Sequence, residues 1–203
     1  MPATSTTVLD AVNQMLSCIG GAAVVTLDTD NPEVTAAVAI LDETTRNVCA
    51  EGWNFNSEKE YPFNVDSTTN QIAIPANLIS FTPSFYKHAA DRLQVVQRQG
   101  KFYNKRDHTY TFTETIYCDV VWSEEFIDCP QPFKEYITSR SSRIYASRLV
   151  TAEEQVALIA QDEAATRAIC IEYESSTSKP SMFGLHDGTN NYISYTPFQT
   201  IAR

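Results

Sequence analysis

No stretch of this chain approaches the ~18 consecutive apolar residues of a membrane-spanning helix, so the sequence does not read as an integral membrane protein. The start, MPATSTTVLDAV, lacks both a basic region and an apolar run, so no secretory signal is expected there. The five cysteines (Cys18, Cys49, Cys118, Cys129 and Cys170) are odd in number and scattered. None has C-x-x-C or zinc-knuckle spacing, which leaves reduced core thiols, made in a cytoplasm, as the expected state. His88, His108 and His186 lie far apart, without an H-x-x-x-H or H-E-x-x-H partner, so no metal set is expected. Walker, GxGxxG and G-x-S-x-G motifs are absent, which removes support for nucleotide binding and for α/β-hydrolase chemistry. Basic residues are short too: 15 Lys and Arg face 25 Asp and Glu, for a net charge of −10. So acidic a surface does not grip phosphates, although it can surround DNA without holding it.

What is present is ample apolar content. Hydrophobic residues make up 43% and charged residues 20% of 203 positions, enough for one globular core with or without an appendage. The most regular stretch is 130–175. It reads as two long helices, about 130–149 and 152–175, joined at Val150–Thr151. Asp128 is placed to cap the first, with Pro130 and Pro132 in its opening turn, and Thr151 with Glu154 forms a capping box for the second. Phe133, Tyr136, Ile137 and Ile144 make one stripe on the first helix, with Arg140 inside it and Arg148 at its edge. The second helix carries two apolar sides. Val156, Ile159, Ala160 and Ile171 form one, and Leu158, Ala165 and Ile169 lie roughly opposite. Such a helix wants neighbours on both sides, and some are expected from another subunit.

Upstream, Val8, Val12, Met15, Leu16 and Ile19 line a helix over about 6–19, stopped by Gly20–Gly21. Asn31 caps a second helix, about 32–50, with Pro32 at its first position. A β insertion over about 53–122 follows: an aromatic extended segment to Val65, a polar turn, a short QIAI strand and an irregular stretch over 76–90. Its clearest strand is Thr109–Trp122, which alternates with a period of two. Residues 93–97 and 101–103, turned by Gly100, are its expected antiparallel partners. The fold expected is therefore α+β, a bundle of about four helices with an inserted small antiparallel sheet and an extended C-terminal tail over 176–203. The tail's aromatics (Phe183, Tyr192, Tyr195 and Phe198) suit docking on a partner.

No catalytic constellation is expected. Glu124–Glu125 and Glu153–Glu154 could be drafted as a glycosidase pair, but adjacent carboxylates in one turn usually form a solvated face. The arginines allow two readings. Arg140, Arg143 and Arg148 share one helix, while Glu163 precedes Arg167 by four residues on the next. They can be local pairs with stems lying over the core, or Arg140 can meet a carboxylate across a subunit boundary. The candidate interface set is Arg140, Arg143, Arg148, Glu163 and Arg167.

The segments AVNQMLSCIGGAAVVTLD, LDETTRNVCAEGWNFN, DCPQPFKEYITSRSSRIYASRLV and EEQVALIAQDEAATRAICIEYE together resemble the tail tubular protein A family of autographivirus-type short-tailed phages. In the second segment Leu41, Arg46, Val48, Gly52, Trp53, Phe55 and Asn56 fall on the family's pattern. The similarity runs in order over roughly residues 8–175, departing where Ala23 replaces a usual proline and beyond Glu174. The resemblance implies a virion protein without catalytic activity, cofactor or metal, forming a twelve-subunit head-to-tail adaptor ring. The ring would join the portal to the tail nozzle (tail tubular protein B) and surround a DNA channel without sequence-specific binding. On this reading residues 1–175 are the adaptor domain and the tail aromatics face the portal. Composition alone leads only to an acidic α+β domain that oligomerises. The other classes to weigh are a tail-associated glycan hydrolase and a soluble protein-binding module.

Overall fold

A computed structural model describes residues 5–27, 30–88, 93–149 and 153–178. In chain order its elements are α1 (Val8–Cys18), α2 (Pro32–Cys49), β1 (Ser57–Phe63), β2 (Leu78–Pro83), the one-turn α3 (Phe85–His88), β3 (Val95–Arg98), β4 (Lys101–Asn104), β5 (Ile116–Trp122), a 3-10 turn (Phe126–Asp128), α4 (Gln131–Leu149) and α5 (Glu153–Ser178). The class is α+β, and all four expected long helices are present within a few residues of their expected ends.

The helix starts follow from their side chains. Thr7 and Asp10 bond each other's backbone amides at 3.2 and 3.0 Å, a capping box that fixes the first turn of α1. Asn31 Oδ1 accepts from the Glu33 amide at 3.0 Å, and Pro32 occupies a position where no amide is needed. For α4 the expected cap is corrected. Asp128 lies within the 3-10 turn, and Pro130 stands before the helix, its carbonyl accepting from the Phe133 and Lys134 amides. The Val150–Thr151 joint and its proposed capping box fall outside the described residues, as do Phe183, Tyr192, Tyr195 and Phe198.

The bundle is organised around α4, with α1, α2 and α5 all packed against it. Phe133, Tyr136 and Ile137 are buried as the stripe predicts, but so are Thr138, Ser139, Ser141, Ser142 and Ala146 on its other sides. Small side chains let three neighbours approach at once, and Thr138 returns its hydroxyl to the Lys134 carbonyl at 2.7 Å. Helix α4 has α1, α2 and α5 as neighbours, whereas α5 packs along α4 and leaves Leu158, Ile169 and Ile171 exposed. Contacts between them run in opposite order: Pro132 with Cys170, Phe133 with Tyr173, Tyr136 with Arg167, Arg143 with Glu163. The two helices are antiparallel.

The β insertion departs most from expectation. Strand β5 pairs antiparallel with β1 and β2, giving the order β1–β5–β2. The expected partners, 93–97 and 101–103, pair with each other instead, as the hairpin β3–β4. Gln99 and Gly100, with φ of 54° and 70°, make its two-residue turn. The strand also begins later than expected, at Ile116, and Thr109 makes only an isolated bridge to Asn104. The segment read as irregular, 76–90, contains β2 and α3, and QIAI contributes only a bridge from Ala73 to Lys101. Strand β1 carries a bulge between Glu58 and Tyr61, where Glu60 adopts φ 54° and gives its amide to the Asp119 carboxylate at 2.9 Å.

Two apolar cores result. One lies in the bundle, and the other gathers Phe63, Ile72, Phe102, Ile116, Val120 and Trp122 within the β insertion. They meet at a neck where the chain leaves α2 and returns to α4. Gly52 turns out of α2 at φ 75°, and the buried Asn56 side chain then holds three backbone groups. Its amide nitrogen donates to the Cys49 and Trp122 carbonyls at 2.8 and 2.7 Å, and its oxygen accepts from the Trp53 amide at 2.9 Å. One side chain thus ties the end of α2 to the end of β5.

Candidate assembly surface

Four of the arginines singled out by position find carboxylates within their own chain. Arg140 Nη1 lies 3.0 Å from Glu51 Oε1, and Arg167 Nη2 lies 2.9 Å from Glu51 Oε2. Both guanidinium groups also donate to the Tyr136 hydroxyl, at 3.1 and 2.6 Å. Glu51 follows the last turn of α2, so this cluster fastens α2, α4 and α5 together around one carboxylate and one phenol. Arg143 pairs with Glu163 across the α4–α5 seam, and Arg148 reaches Glu43 of α2 at 3.4 Å. Glu163 is therefore used by Arg143, and the helical i,i+4 pair with Arg167 is not the one formed.

The electrostatics follow from this sharing. Bonds from Glu51 and Tyr136 raise the Arg167 pKa above its already high ordinary value. At Arg140 burial acts to lower the pKa, but Tyr136 and Glu51 outweigh it and the net shift is upward. Both remain cations at any working pH. Sequence reasoning found the arginines but missed Glu51, Tyr136 and Glu43. A single carboxylate just past a helix end gives no local signal that two arginines from other helices will converge on it.

Sharing also predicts how the cluster responds to mutation. Arg140→Ala should cost the isolated subunit no more than about 1 kcal/mol, because Arg167 still pairs Glu51. Glu51→Ala deprives both guanidinium groups and should cost about 1–2 kcal/mol. Urea denaturation measures both, and a double-mutant cycle on Arg140 and Arg167 gives their coupling. If Arg140→Ala costs as much as Glu51→Ala, Arg167 does not substitute for Arg140.

The side of α5 turned away from α4 is of a different character. Leu158 is 63% exposed and Ile169 47%, with Ala157, Ala164, Ala165 and Ala168 exposed as well, and Ile171, on the helix's other apolar side, is 53% exposed. The same helix buries Cys170 and half-buries Tyr173 against the bundle. A surface helix normally turns charge outward, so exposed aliphatics of this kind make α5 a candidate contact surface. Isolated large apolar groups also stand out at Val25 (87%) and Ile127 (60%).

The described residues hold no group of three or more His, Cys, Asp or Glu suited to a metal, and no helix long and apolar enough to cross a membrane. A polar cleft of about 410 Å³ lies in the β insertion, lined by residues that include His88, Asn104, Arg106, Asp107 and Glu114. Its Asp107 carboxylate accepts from Asn104 Nδ2 at 2.8 Å. Glu124 and Glu125, the adjacent carboxylates weighed as a glycosidase pair, do not line it.

Comparison with protein families matches residues 9–180 to the tail tubular protein family. No curated protein matches the chain.

Proposed function

The chain belongs to the tail tubular protein family and is a structural protein of a bacteriophage tail; from that premise we propose that it is a head-to-tail adaptor. Twelve subunits close into a ring between portal and tail nozzle, with DNA passing through the hole and no reaction catalysed. The observation that carries the reading is the outward side of α5, where Leu158 and Ile169 stand 63% and 47% exposed among the described residues. A subunit that repeats such a face against a different surface of its neighbour makes a heterologous contact, which closes into a ring when the rotation permits. The net charge of −10 lets DNA pass a lumen that does not retain it.

In this reading Arg140 and Arg167 act at one remove, holding α5 against α4 so that its face keeps its position. Arg148, more than half exposed beside Glu43, is open to a neighbour's carboxylate as well. The tail aromatics Phe183, Tyr192, Tyr195 and Phe198 are assigned to the portal contact.

The test compares subunit stability with assembly. Leu158→Asp and Ile169→Asp lie on an exposed face, so the isolated subunit should keep its unfolding free energy within about 0.5 kcal/mol. Ring formation on a portal, seen by electron microscopy and sedimentation, should fail. Removing residues 179–203 in the same assay should spare the fold, because α5 continues to Ser178, and weaken portal binding. Normal rings from both aspartate variants would show that the α5 face is not the subunit boundary.

A further inference from the structure

Two cysteines come together at the neck although 79 residues separate them in the chain, Ala50 to Asp128. Cys49 ends α2, and Cys129 stands between the 3-10 turn and α4. Their sulfurs reach adjacent peptide units: Cys49 Sγ donates to the Glu124 carbonyl at 3.9 Å, and Cys129 Sγ to the Glu125 carbonyl at 3.5 Å. Each thiol is also the largest single influence on the ionisation of the other. Both are buried, at 0% and 3% exposure, and both are free thiols in this structure. Everything between them is the β insertion with its approach and return. A bond between these sulfurs would therefore close the chain at the neck, beside the Cys49 carbonyl that Asn56 already holds.

We propose that Cys49 and Cys129 are a redox pair, reduced where the protein is made and able to close into an intramolecular disulfide on meeting a small-molecule disulfide. The inference goes beyond the adaptor reading and does not depend on it. Cys49, as thiolate, attacks one sulfur of the oxidant, forming a mixed disulfide and releasing one small thiol. Cys129 then loses its proton and attacks the Cys49 sulfur, expelling the second small thiol. The protein gives up two protons and two electrons, and the oxidant becomes two thiols. A glutathione-buffered cytoplasm opposes this closure and an oxidising medium permits it.

Cys118 and Cys170 are set apart by their surroundings. Interaction with Cys129 draws the Cys49 pKa down to about 7, which makes Cys49 the more readily ionised of the two. The same interaction and burial push Cys129 up. Burial pushes Cys118 up to about 12 and Cys170 up to about 11, and neither is placed beside another sulfur in the structure's contacts. Because the pair is buried, the oxidant enters through local opening of the neck, and closure is slow compared with reaction at a surface thiol.

The experiment uses the full chain in native buffer with oxidised glutathione, followed by alkylation, proteolysis and mass spectrometry. The expected product is a cross-linked peptide pair containing Cys49 and Cys129, with an intact mass lower by two hydrogens. Cys118 and Cys170 should remain thiols. The urea midpoint should rise in the oxidised protein, because the link constrains the unfolded chain, and should return with a reductant. Cys129→Ala should abolish that rise, and the peptide map of the unaltered chain stands even if this variant folds poorly. The proposal is overturned if both thiols persist, if they carry only glutathione adducts, if they pair with other cysteines, or if the link forms only in denaturant.

Discussion

Asn56→Ala is expected to remove about 3–4 kcal/mol of stability, far more than the deletion of an exposed amide would. The side chain is 1% exposed and makes three hydrogen bonds, each to a backbone group that has lost its access to water. Truncation leaves the Trp122 carbonyl and the Trp53 amide without that partner, while the Cys49 carbonyl keeps its bond from the Gly52 amide at 3.1 Å. A buried unsatisfied group costs about 1–3 kcal/mol, and partial relaxation keeps the total below a simple sum. Asn56→Asp is nearly the same shape and should be at least as harmful. A carboxylate can accept from Trp53 but cannot donate to two carbonyls, and it would face both as a charge. The loss should also be visible as lost cooperativity. The two tryptophans stand on either side of the clasp, Trp53 in the bundle core and Trp122 in the β core. In the native protein, tryptophan fluorescence and far-ultraviolet circular dichroism should report one urea transition; in Asn56→Ala they should separate. A single coincident transition with a loss below about 1 kcal/mol would show that Asn56 does not join the two cores.

Asn56 was visible in the sequence only through the family pattern Gly-Trp-x-Phe-Asn, which marks the position without saying why an asparagine stands there. The physical reason needs both partners, and they come from positions 7 residues before and 66 residues after it. The same limit explains the sheet. Period-two alternation identified β5 correctly from Ile116 to Trp122, since every second side chain there is buried. Alternation says which side chains face inward, but not which strand lies alongside. The local hairpin β3–β4 was legible in its turn at Gly100, yet its two strands satisfy each other and leave β5 to β1 and β2. Strand β2 was hidden because it is short, lies between Pro75 and a terminal Pro83, and shows no clean alternation.

Helices were read more securely, because caps and 3.6-residue periodicity are local properties of the chain. Their environment was not. Apolar stripes on α4 suggested one buried side, since Ser139, Ser141 and Ser142 look like surface residues when size is ignored. In the bundle their smallness is what admits α1, α2 and α5 together. Helix α5, with aliphatics on two sides, was expected to take some of its neighbours from another subunit. Its second side is the one that the described subunit leaves uncovered. The arginine cluster shows the same division. Position on the helix located Arg140, but Glu51, which satisfies it, sits 89 residues earlier.

Phe133→Ala should be the most damaging single change in the bundle, with an expected loss of about 3–5 kcal/mol. Phe133 is fully buried at the start of α4. Its ring meets Trp53 at 4.9 Å and Phe55 at 4.6 Å between centroids, and Tyr173 of α5 at 6.1 Å. It thus packs α4 against the neck on one side and against the last turns of α5 on the other. Truncation removes aromatic burial and opens a cavity bounded by three rings, each of which also loses an edge-to-face or tilted contact. Collapse around that cavity is hindered on both sides. The Trp53 indole is anchored by its bond to the Val48 carbonyl at 2.9 Å, and α5 is held by the pairs of Arg143 and Arg167. Phe133→Leu keeps most of the volume, loses the ring contacts, and should cost less than half as much. Thermal and urea unfolding of the isolated subunit measures both changes. The assembly assay adds a second reading, because a loosened α5 presents its outward face in the wrong place. Phe133→Leu should then assemble more weakly than its stability alone predicts, whereas full-strength rings from it would separate the neck packing from the position of α5.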